Sequence, residues 1–172
     1  MVTRSPSEVP ISAGELDPKR HDRGGFDCGV EPLNRYLRAL AVQHRAKGIA
    51  TTFVLFDSDQ PVTILGYYSL SAATLAFERM TEADRKSLPT YPVPAVRIGR
   101  LAATAARRGR GLGELLLQNA IKRTLLARHT LGVYAVVVEA NDASAEAFYR
   151  KYGFRLCDVQ TRQLYLPLGR SP

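Results

Sequence analysis

The sequence contains few of the residues that build disulfide frameworks and metal sites. Among its 172 residues are 2 cysteines, 3 histidines and no tryptophan. Cys28 and Cys157 stand far apart in the chain, and neither belongs to a CxxC pair. The composition therefore indicates neither a disulfide-stabilised fold nor a zinc site, and no metal cofactor is expected. A reducing cytoplasm is the expected location.

Long apolar segments are also missing. The N-terminal stretch MVTRSPSEVPISAGELD is polar and broken by prolines, unlike a signal peptide, and no later run approaches the roughly 20 apolar residues of a membrane helix. No membrane partner is expected. Since 45% of the residues are hydrophobic, the chain can bury the core of one globular domain. We predict a single domain over residues 1–172, with residues 1–14 irregular.

Positive charge is in excess. The 24 lysines and arginines outnumber the 16 aspartates and glutamates, which gives a net charge of +8. This balance favours polyanionic partners such as nucleic acids or phosphorylated cofactors. Basic residues are dense between positions 97 and 128, where Glu114 is the only acidic residue. The alternative is that these arginines serve only the phosphates of a cofactor and the solubility of the protein.

Hydrophobic periodicity predicts an alternation of strands and helices. The predicted elements are a helix from Pro32 to Gly48, strands at TTFVLFD and VTILGYYSLSAATLAFE, a strand at AVRIGRLAAT, a helix from Leu112 to Arg128, a buried strand at VYAVVVEA, a short helix at NDASAEAFYRKY, and closing strands at FRLCDV and QLYLPL. A strand, a helix and a second strand in succession indicate a right-handed crossover inside a mixed sheet, and so an α/β protein.

A glycine-rich basic turn, RRGRGLGELLLQNA, lies where a predicted strand meets the long helix. Gly109, Gly111 and Gly113 permit positive φ angles and close approach of the backbone to a ligand, while the first helical amides point outward with the positive end of the helix dipole. Such a turn is typical of a phosphate site. It matches neither the Walker loop nor GxGxxG, and the alternative is a turn that merely links strand to helix.

Several stretches resemble the GNAT acetyltransferase superfamily. Arg108-x-x-Gly111-x-Gly113 is similar to its acyl-coenzyme A signature, and AEAFYRKYGF, from Ala145 to Phe154, resembles its Ala-x-x-Phe-Tyr-x-x-x-Gly-Phe element. Upstream, FDCGVEPLNRYLRALAVQHRAKGIATTFVLFD, GYYSLSAA and VPAVRIGRLA resemble the branch of TacT- and AtaT-type toxins, which acetylate aminoacyl-tRNA. The resemblance extends over about residues 15 to 168. It implies an α/β (α+β) fold with a central mixed, mostly antiparallel β-sheet flanked by helices.

The resemblance also assigns roles to individual residues. It implies that Tyr149 is the general acid and that acetyl-coenzyme A is the co-substrate. The implied cofactor contacts are Leu101, Ala102 and Ala103 of the strand, Arg108, Gly109, Arg110, Gly111, Leu112, Gly113 and Glu114 of the loop and helix start, and Asn141. Two positions depart from the family pattern: Thr104 replaces a common aspartate, and Asp142 stands where many members have an asparagine, with Asn141 beside it. The implied partners are aminoacyl-tRNA, a small antitoxin and a second copy of the chain in a homodimer.

The chemistry of acetyl transfer agrees with these roles. The reaction needs a neutral amine, an aligned thioester and a proton for the departing thiolate, and a tyrosine with an ordinary pKa of about 10 is protonated at neutral pH. Phe148 and Tyr149 are adjacent on a helix, so one of them is expected in the core and the other at a cleft. The alternative is that Tyr149 is simply a core residue of an amphipathic helix.

The type of amine that accepts the acetyl group is predicted from the absence of a carboxylate in the central strand. RIGRLAATAA carries no carboxylate to act as a base, which favours an α-amine, with a pKa of about 7.7 to 8.0, over a lysine at about 10.4. With the net positive charge, an aminoacyl-tRNA is the expected acceptor, and the resemblance to the toxin branch implies a block of translation. The alternatives are acetylation of a protein N-terminus or a small amine, and a non-catalytic module that binds coenzyme A or nucleic acid.

Overall fold

The computed structural model describes residues 10–170 of the chain. In this part the strands are β1 (Ile11–Glu15), β2 (Thr51–Asp57), β3 (Ile64–Leu75), β4 (Val93–Ala103), β5 (Ala135–Glu139), β6 (Arg155–Asp158) and β7 (Gln163–Pro167). The α-helices are α1 (Glu31–Arg35), α2 (Ala41–Ala46), α3 (Glu82–Arg85), α4 (Leu112–Ala127) and α5 (Ala143–Lys151). A π-helical turn, Tyr36–Leu40, connects α1 to α2, and 3₁₀ turns occupy Phe77–Arg79 and Ala105–Arg107.

The strands form a sheet in the order β1-β2-β3-β4-β5-β7-β6. The pairs β1–β2, β5–β7 and β6–β7 are antiparallel, whereas β4 and β5 are parallel and joined through α4. The predicted mixed, mostly antiparallel sheet with helices is therefore confirmed. The parallel pairing agrees with the predicted crossover, and its handedness stays a prediction.

The chain groups into two compact units. The first contains the described residues up to 69 together with 100–119, and the second contains 70–99 together with 120 onward. Strands β3 and β4 and helix α4 each continue from one unit into the other. The single domain over residues 1–172 stays a prediction.

The N-terminal segment is more regular than predicted. Residues 1–9 lie outside the described part of the chain, but Ile11–Glu15 forms a strand that pairs with β2 from Ile11 opposite Asp57 to Glu15 opposite Phe53. Its residues alternate between exposed and half-buried, because successive side chains of a strand point to opposite faces of the sheet. A short edge strand that contains a serine, an alanine and a glycine has little β-propensity, so its pairing with β2 determines its structure.

The first unit is built on the helical segment that follows Val30. Pro32 lies in the first turn, where its missing N–H is tolerated, and Gly48 ends the segment with a φ of +72°. The π-helical turn brings both Tyr36 and Leu37 into the core. Their neighbours there include Phe26, Val54, Phe56, Ile64, Tyr67 and Ala102. Full burial of each large apolar side chain contributes about 1.5–3 kcal/mol, which fixes this segment on the sheet.

The second unit has its own core around β5. Ala135, Val137 and Tyr165 are at most 1% exposed, and they pack with Leu75, Met80, Val93 and Ala95. The prediction that the VYAVVVEA strand is buried on both faces is confirmed over Ala135–Val138.

Asp84 ties the polar, proline-containing stretch between β3 and β4 to the rest of the second unit. Its carboxylate accepts hydrogen bonds from Tyr165 at 2.5 Å, from Thr81 at 2.9 Å and from Arg155. These bonds lower the pKa of Asp84 although burial opposes them. The stretch between β3 and β4 is thereby held against β6 and β7 despite having little regular structure of its own.

Candidate active site

The predicted phosphate loop connects the end of β4 to the start of α4. After the 3₁₀ turn, Gly109 and Gly111 adopt φ angles of +76° and +74°. A Cβ atom built on either glycine would meet no other atom within 4 Å, so both face open space. The loop therefore has positive φ angles, which only glycine adopts without strain. It also leaves open space above its backbone for a ligand.

The first amides of α4 are available to an anion. The amide of Leu115 donates the first helical hydrogen bond, at 3.1 Å to the carbonyl of Gly111, so the amides of Leu112, Gly113 and Glu114 have no intrahelical acceptor. The Leu112 side chain is 4% exposed and anchors the turn, which leaves only its backbone for a ligand. The side chains of Arg108, Arg110 and Glu114 are exposed. This arrangement is a helix N-terminus suited to a phosphate.

A segment from the first part of the chain holds the loop in place. The amide of Ala105 donates a 2.9 Å hydrogen bond to the carbonyl of Asp27, and the amide of Thr104 donates one of 2.8 Å to Leu65 on β3. The Thr104 hydroxyl also lies 3.5 Å from the Asp27 carbonyl oxygen. Thr104, where the sequence departs from the family pattern, thus helps to anchor the loop.

The Asp27 segment is itself braced by side-chain hydrogen bonds. The Asp27 carboxylate accepts from the Gly29 amide at 2.8 Å and from the Asn34 side chain at 2.9 Å, and Asn34 accepts from the Cys28 amide at 2.9 Å. The Gly29 and Asn34 bonds, with the nearby charge of Arg108, hold the pKa of Asp27 below its ordinary value. These anchoring residues were not among the predicted site residues, although the similarity of FDCGVEPLN to the toxin branch was a signal for them.

Gly29 also leaves room for Arg108. Its φ is +81°, and a Cβ atom built on it would come within 2.6 Å of a terminal nitrogen of the Arg108 guanidinium. Arg108, the arginine of the predicted signature, therefore lies directly over Gly29. A larger residue at position 29 would displace the Arg108 side chain.

β3 lies close to both α4 and the end of β4 at residue 66, because this residue is glycine. A Cβ atom at Gly66 would come within 2.8 Å of a Leu116 methyl carbon and 3.0 Å of the Ala102 carbonyl oxygen. The predicted thioester contacts Leu101, Ala102 and Ala103 are the last residues of β4, which leads into the loop. Ala102 is buried, and the other two are half-buried. The structure thus brings the strand residues and loop residues together in one unit.

Tyr149 lies on α5 in the other unit. The helix begins after Asp142, whose carboxylate accepts a 2.8 Å hydrogen bond from the Ala145 amide, and it ends before Gly153, with a φ of +91°. The sequence allows either Asn141 or Asp142 as the cap of this helix; Asp142 is the cap, and the neighbouring Asn141 is exposed. Whether Asn141 contacts a cofactor stays a prediction.

The Tyr149 phenol is buried and neutral. Its side chain is 8% exposed, with its ring centre 5.2 Å from that of Phe148 and 5.3 Å from that of Phe154. Burial raises the pKa of Tyr149 to about 12. Within residues 10–170 its hydroxyl makes no hydrogen bond, so its proton is available for donation. Of the two adjacent aromatic residues, Tyr149 is the more buried and Phe148 is only half-buried.

No metal site is found among the described residues, where no group of three or more histidine, cysteine, aspartate or glutamate side chains is placed to hold an ion. None of the helices in residues 10–170 is both long enough and apolar enough to cross a membrane.

Comparison with known proteins shows extended similarity. The Acetyltransferase (GNAT) domain family matches residues 48–156. A tRNA-acetylating toxin from Mycobacterium tuberculosis is 31% identical over 145 residues, which cover 84% of this chain and 85% of that protein. AtaT in complex with acetyl-methionyl-tRNAfMet superposes with a TM-score of 0.85 at 26% identity, covering 92% of this chain and 95% of AtaT. A tyrosine-to-phenylalanine mutant of AtaT, bound to the C-terminus of the antitoxin AtaR and to acetyl-CoA, gives a TM-score of 0.77 at 26% identity, covering 91% and 92%.

Proposed function

The chain belongs to the GNAT acetyltransferase family, in the branch of the TacT- and AtaT-type toxins, and we propose that it transfers an acetyl group from acetyl-coenzyme A to the α-amine of aminoacyl-tRNA. The observation that carries this proposal is the loop at the start of α4, with two open glycines and free helical amides. Acetylation of the α-amine removes the nucleophile needed for peptide bond formation, so the protein acts as a toxin that blocks translation.

The loop binds the pyrophosphate of the coenzyme. The amides of Leu112, Gly113 and Glu114 donate to the phosphate oxygens, and Arg108 and Arg110 neutralise their charge. Glycine at positions 109 and 111 lets the backbone come close enough for these contacts. Because the loop continues from β4, the backbone of Leu101, Ala102 and Ala103 is the segment that orients the thioester. A mutant of AtaT, a relative with this fold, has a structure with acetyl-CoA bound, which supports this co-substrate here.

Tyr149 supplies the proton for the departing thiolate. A phenol with a pKa of about 12 is fully protonated at neutral pH, and its hydroxyl forms no competing hydrogen bond within the described residues. The amine attacks the thioester carbonyl directly, the carbon–sulfur bond breaks, and the Tyr149 hydroxyl protonates the sulfur. The attacking amine loses its own proton to solvent, and the Tyr149 phenolate takes up a proton from solvent, which restores the phenol.

The acceptor needs no protein base. β4 carries no carboxylate over Arg97–Ala103, so a lysine ammonium would rarely be neutral, whereas an α-amine at about 7.7 to 8.0 is partly neutral at pH 7. The net charge of +8 attracts the phosphate backbone of tRNA without regard to sequence. The acceptor is therefore an α-amine attached to a polyanion.

Three further features belong to the proposal. A small antitoxin neutralises the enzyme, as suggested by the complex of AtaT with the C-terminus of AtaR. The protein acts as a homodimer, which light scattering of the purified protein tests. The cytoplasm, where charged tRNA is found, is its location.

The function is tested with labelled acetyl-coenzyme A and three acceptors: charged tRNA, a peptide with a free N-terminus and a polyamine. We expect label on charged tRNA and little on the other two. A preference for the peptide or the polyamine would instead support a protein or small-amine acetyltransferase. Expression in bacteria should arrest growth, and Tyr149→Phe should relieve the arrest. Equal arrest by both forms would favour a non-catalytic binding module.

A further inference from the structure

Arg100 is held on an aromatic platform in the first unit. Its guanidinium carbon lies 3.6 Å from the ring centre of Tyr36, which is 1% exposed. The Tyr36 ring stacks on that of Tyr67 with 17° between the planes, and the Tyr67 hydroxyl donates a 2.6 Å hydrogen bond to the carbonyl of Leu33. The Tyr36 hydroxyl also lies 3.1 Å from Nδ1 of His44. The guanidinium is therefore fixed by a rigid, buried stack.

The charge of Arg100 has no counter-ion in the described part of the chain. Arg97, on the same strand, pairs with Glu139 at 3.4 Å, and Arg45 pairs with Glu15 at 2.5 Å. Arg100 forms no ion pair and no hydrogen bond within residues 10–170, although it is half-buried. A cation–π contact offsets only part of the cost of removing a charge from water. A guanidinium held in place with free donors is suited to binding a phosphate or carboxylate.

The position of Arg100 on β4 indicates which anion it binds. It directly precedes Leu101–Ala103, the segment proposed to orient the thioester, whereas the pyrophosphate loop follows that segment. At about 3.3 Å per residue, Arg100 and Ala103 are separated by roughly 10 Å along the strand. The coenzyme's pyrophosphate is thus assigned to the Ala103 end of this segment, where the loop begins. The acceptor is expected at the opposite end, beside Arg100.

We propose that Arg100 binds the phosphodiester next to the terminal nucleoside of the charged tRNA, and so selects aminoacyl-RNA over free amines. This inference rests on the proposed function and names a specificity-determining residue for it. The terminal phosphodiester is the anion nearest to the aminoacyl ester, so its capture places the α-amine at the thioester. Free amino acids, polyamines and peptide N-termini lack a phosphate at this distance from their amine.

The test compares Arg100→Met with Arg97→Met, a matched control on the same strand. Each variant is assayed with charged tRNA and with an aminoacyl-adenosine that carries no phosphate, and its affinity for acetyl-coenzyme A is measured. Arg100→Met should raise KM for charged tRNA on the order of ten- to a hundred-fold, because a charge-assisted hydrogen bond is lost. Its KM for the aminoacyl-adenosine and its affinity for acetyl-coenzyme A should stay unchanged. Arg97→Met should change none of these.

Several results would overturn the inference. These are an unchanged KM for charged tRNA, an equal loss with both acceptors, or a loss of acetyl-coenzyme A binding. If Arg100→Met unfolds, Arg100→Lys keeps a positive charge and should show a KM for charged tRNA within about ten-fold of wild type. A larger rise in KM for Arg100→Lys with the aminoacyl-adenosine than with charged tRNA would count against the inference.

Failure of the proposed function is distinguishable from failure of this inference. If wild-type protein does not acetylate charged tRNA, the proposed function is wrong. Binding of a fluorescent CCA-ended RNA stem, measured by anisotropy, then still tests Arg100. Weaker binding by Arg100→Met than by Arg97→Met supports a phosphate contact, and equal affinities would overturn it.

Discussion

The amide of Ala105 donates a 2.9 Å hydrogen bond to the carbonyl of Asp27, which ties the coenzyme loop to the segment that leads into α1. Asp27 in turn is braced by Asn34 and Gly29, and Gly29 leaves room for Arg108. The loop's shape therefore depends on residues that lie outside the loop. Substitutions in this support should weaken binding of the coenzyme from a distance.

Asn34→Ala tests that support. Asn34 is 7% exposed, and its removal leaves the buried amide of Cys28 without its acceptor. We expect a loss of about 1–3 kcal/mol in the free energy of unfolding, measured with urea, and a several-fold weaker affinity for acetyl-coenzyme A by calorimetry. Ser12→Ala, which removes an exposed hydrogen bond to Ser58, should change neither quantity. Unaltered coenzyme affinity in Asn34→Ala would show that the loop holds its shape without this support.

Gly111→Ala tests the open face of the loop. The matched control is Gly48→Ala, because Gly48 has nearly the same φ, +72°, and equally open surroundings away from the loop. Both variants should lose about 1–2 kcal/mol of stability from the left-handed backbone. Only Gly111→Ala should weaken binding of acetyl-coenzyme A, by at least ten-fold, since its methyl group occupies the space proposed for the pyrophosphate. Equal coenzyme affinities in the two variants would remove the loop from the binding site.

Gly66→Ala tests the close approach of α4 to the sheet. The added methyl group would lie 2.8 Å from a Leu116 carbon and 3.0 Å from the Ala102 carbonyl oxygen, so the helix or the strand must shift. We expect a loss of about 1–3 kcal/mol, the usual cost of overpacking, and weaker binding of the coenzyme. Gly14→Ala on β1 would bring its methyl group no nearer than 3.9 Å to any atom, and chemical denaturation should find it nearly neutral. The contact is not tight if the two variants unfold at the same denaturant concentration.

Tyr149→Phe separates proton donation from binding. We expect kcat to fall by about 10²–10⁴-fold, the usual contribution of a general acid, with unchanged affinity for acetyl-coenzyme A. The free energy of unfolding should change by less than about 1 kcal/mol, because the hydroxyl makes no hydrogen bond within the described residues. The control is Tyr91→Phe, an exposed tyrosine, which should retain full activity. Normal turnover by Tyr149→Phe would remove the phenol from the mechanism.

The pH dependence of the wild-type enzyme follows from the assignment of Tyr149 as the proton donor. Burial raises the pKa of Tyr149 to about 12, so the donor stays protonated across the range in which the acceptor loses its proton. The value of kcat/KM should therefore rise with an apparent pKa of about 7.7 to 8.0, that of the α-amine. It should show no decline below pH 10, the ordinary pKa of a tyrosine. A decline beginning well below that pH would contradict a buried phenol as the proton donor.

The glycine loop and the Tyr149 helix were predictable because their signals are local. Glycines followed by an amphipathic pattern define a helix start, and Asp142 and Gly153 bracket α5 by capping and by positive φ. The buried strand β5 was also predictable, since a continuous run of valines suits a strand with two covered faces.

Features that depend on contacts between distant residues were not predictable. β1 was missed because its stability comes from pairing with β2, and its own residues have weak strand propensity. The support of the loop by Asp27 and Asn34 and the stacking of Arg100 on Tyr36 join residues far apart in the chain, and no spacing rule connects them. A polar residue's burial and its partners appear only once the fold brings them together.

The central claim is that the enzyme acetylates the α-amine of an amino acid attached to tRNA. The most direct measurement incubates the protein with acetyl-coenzyme A and total charged tRNA, releases the aminoacyl ends and locates the acetyl group by mass spectrometry. We predict acetyl on the α-amine of at least one amino acid with wild-type protein, and about 10²–10⁴-fold slower acetylation of the same amine with Tyr149→Phe. Unmodified aminoacyl ends after incubation with wild-type protein that binds acetyl-coenzyme A would contradict the claim.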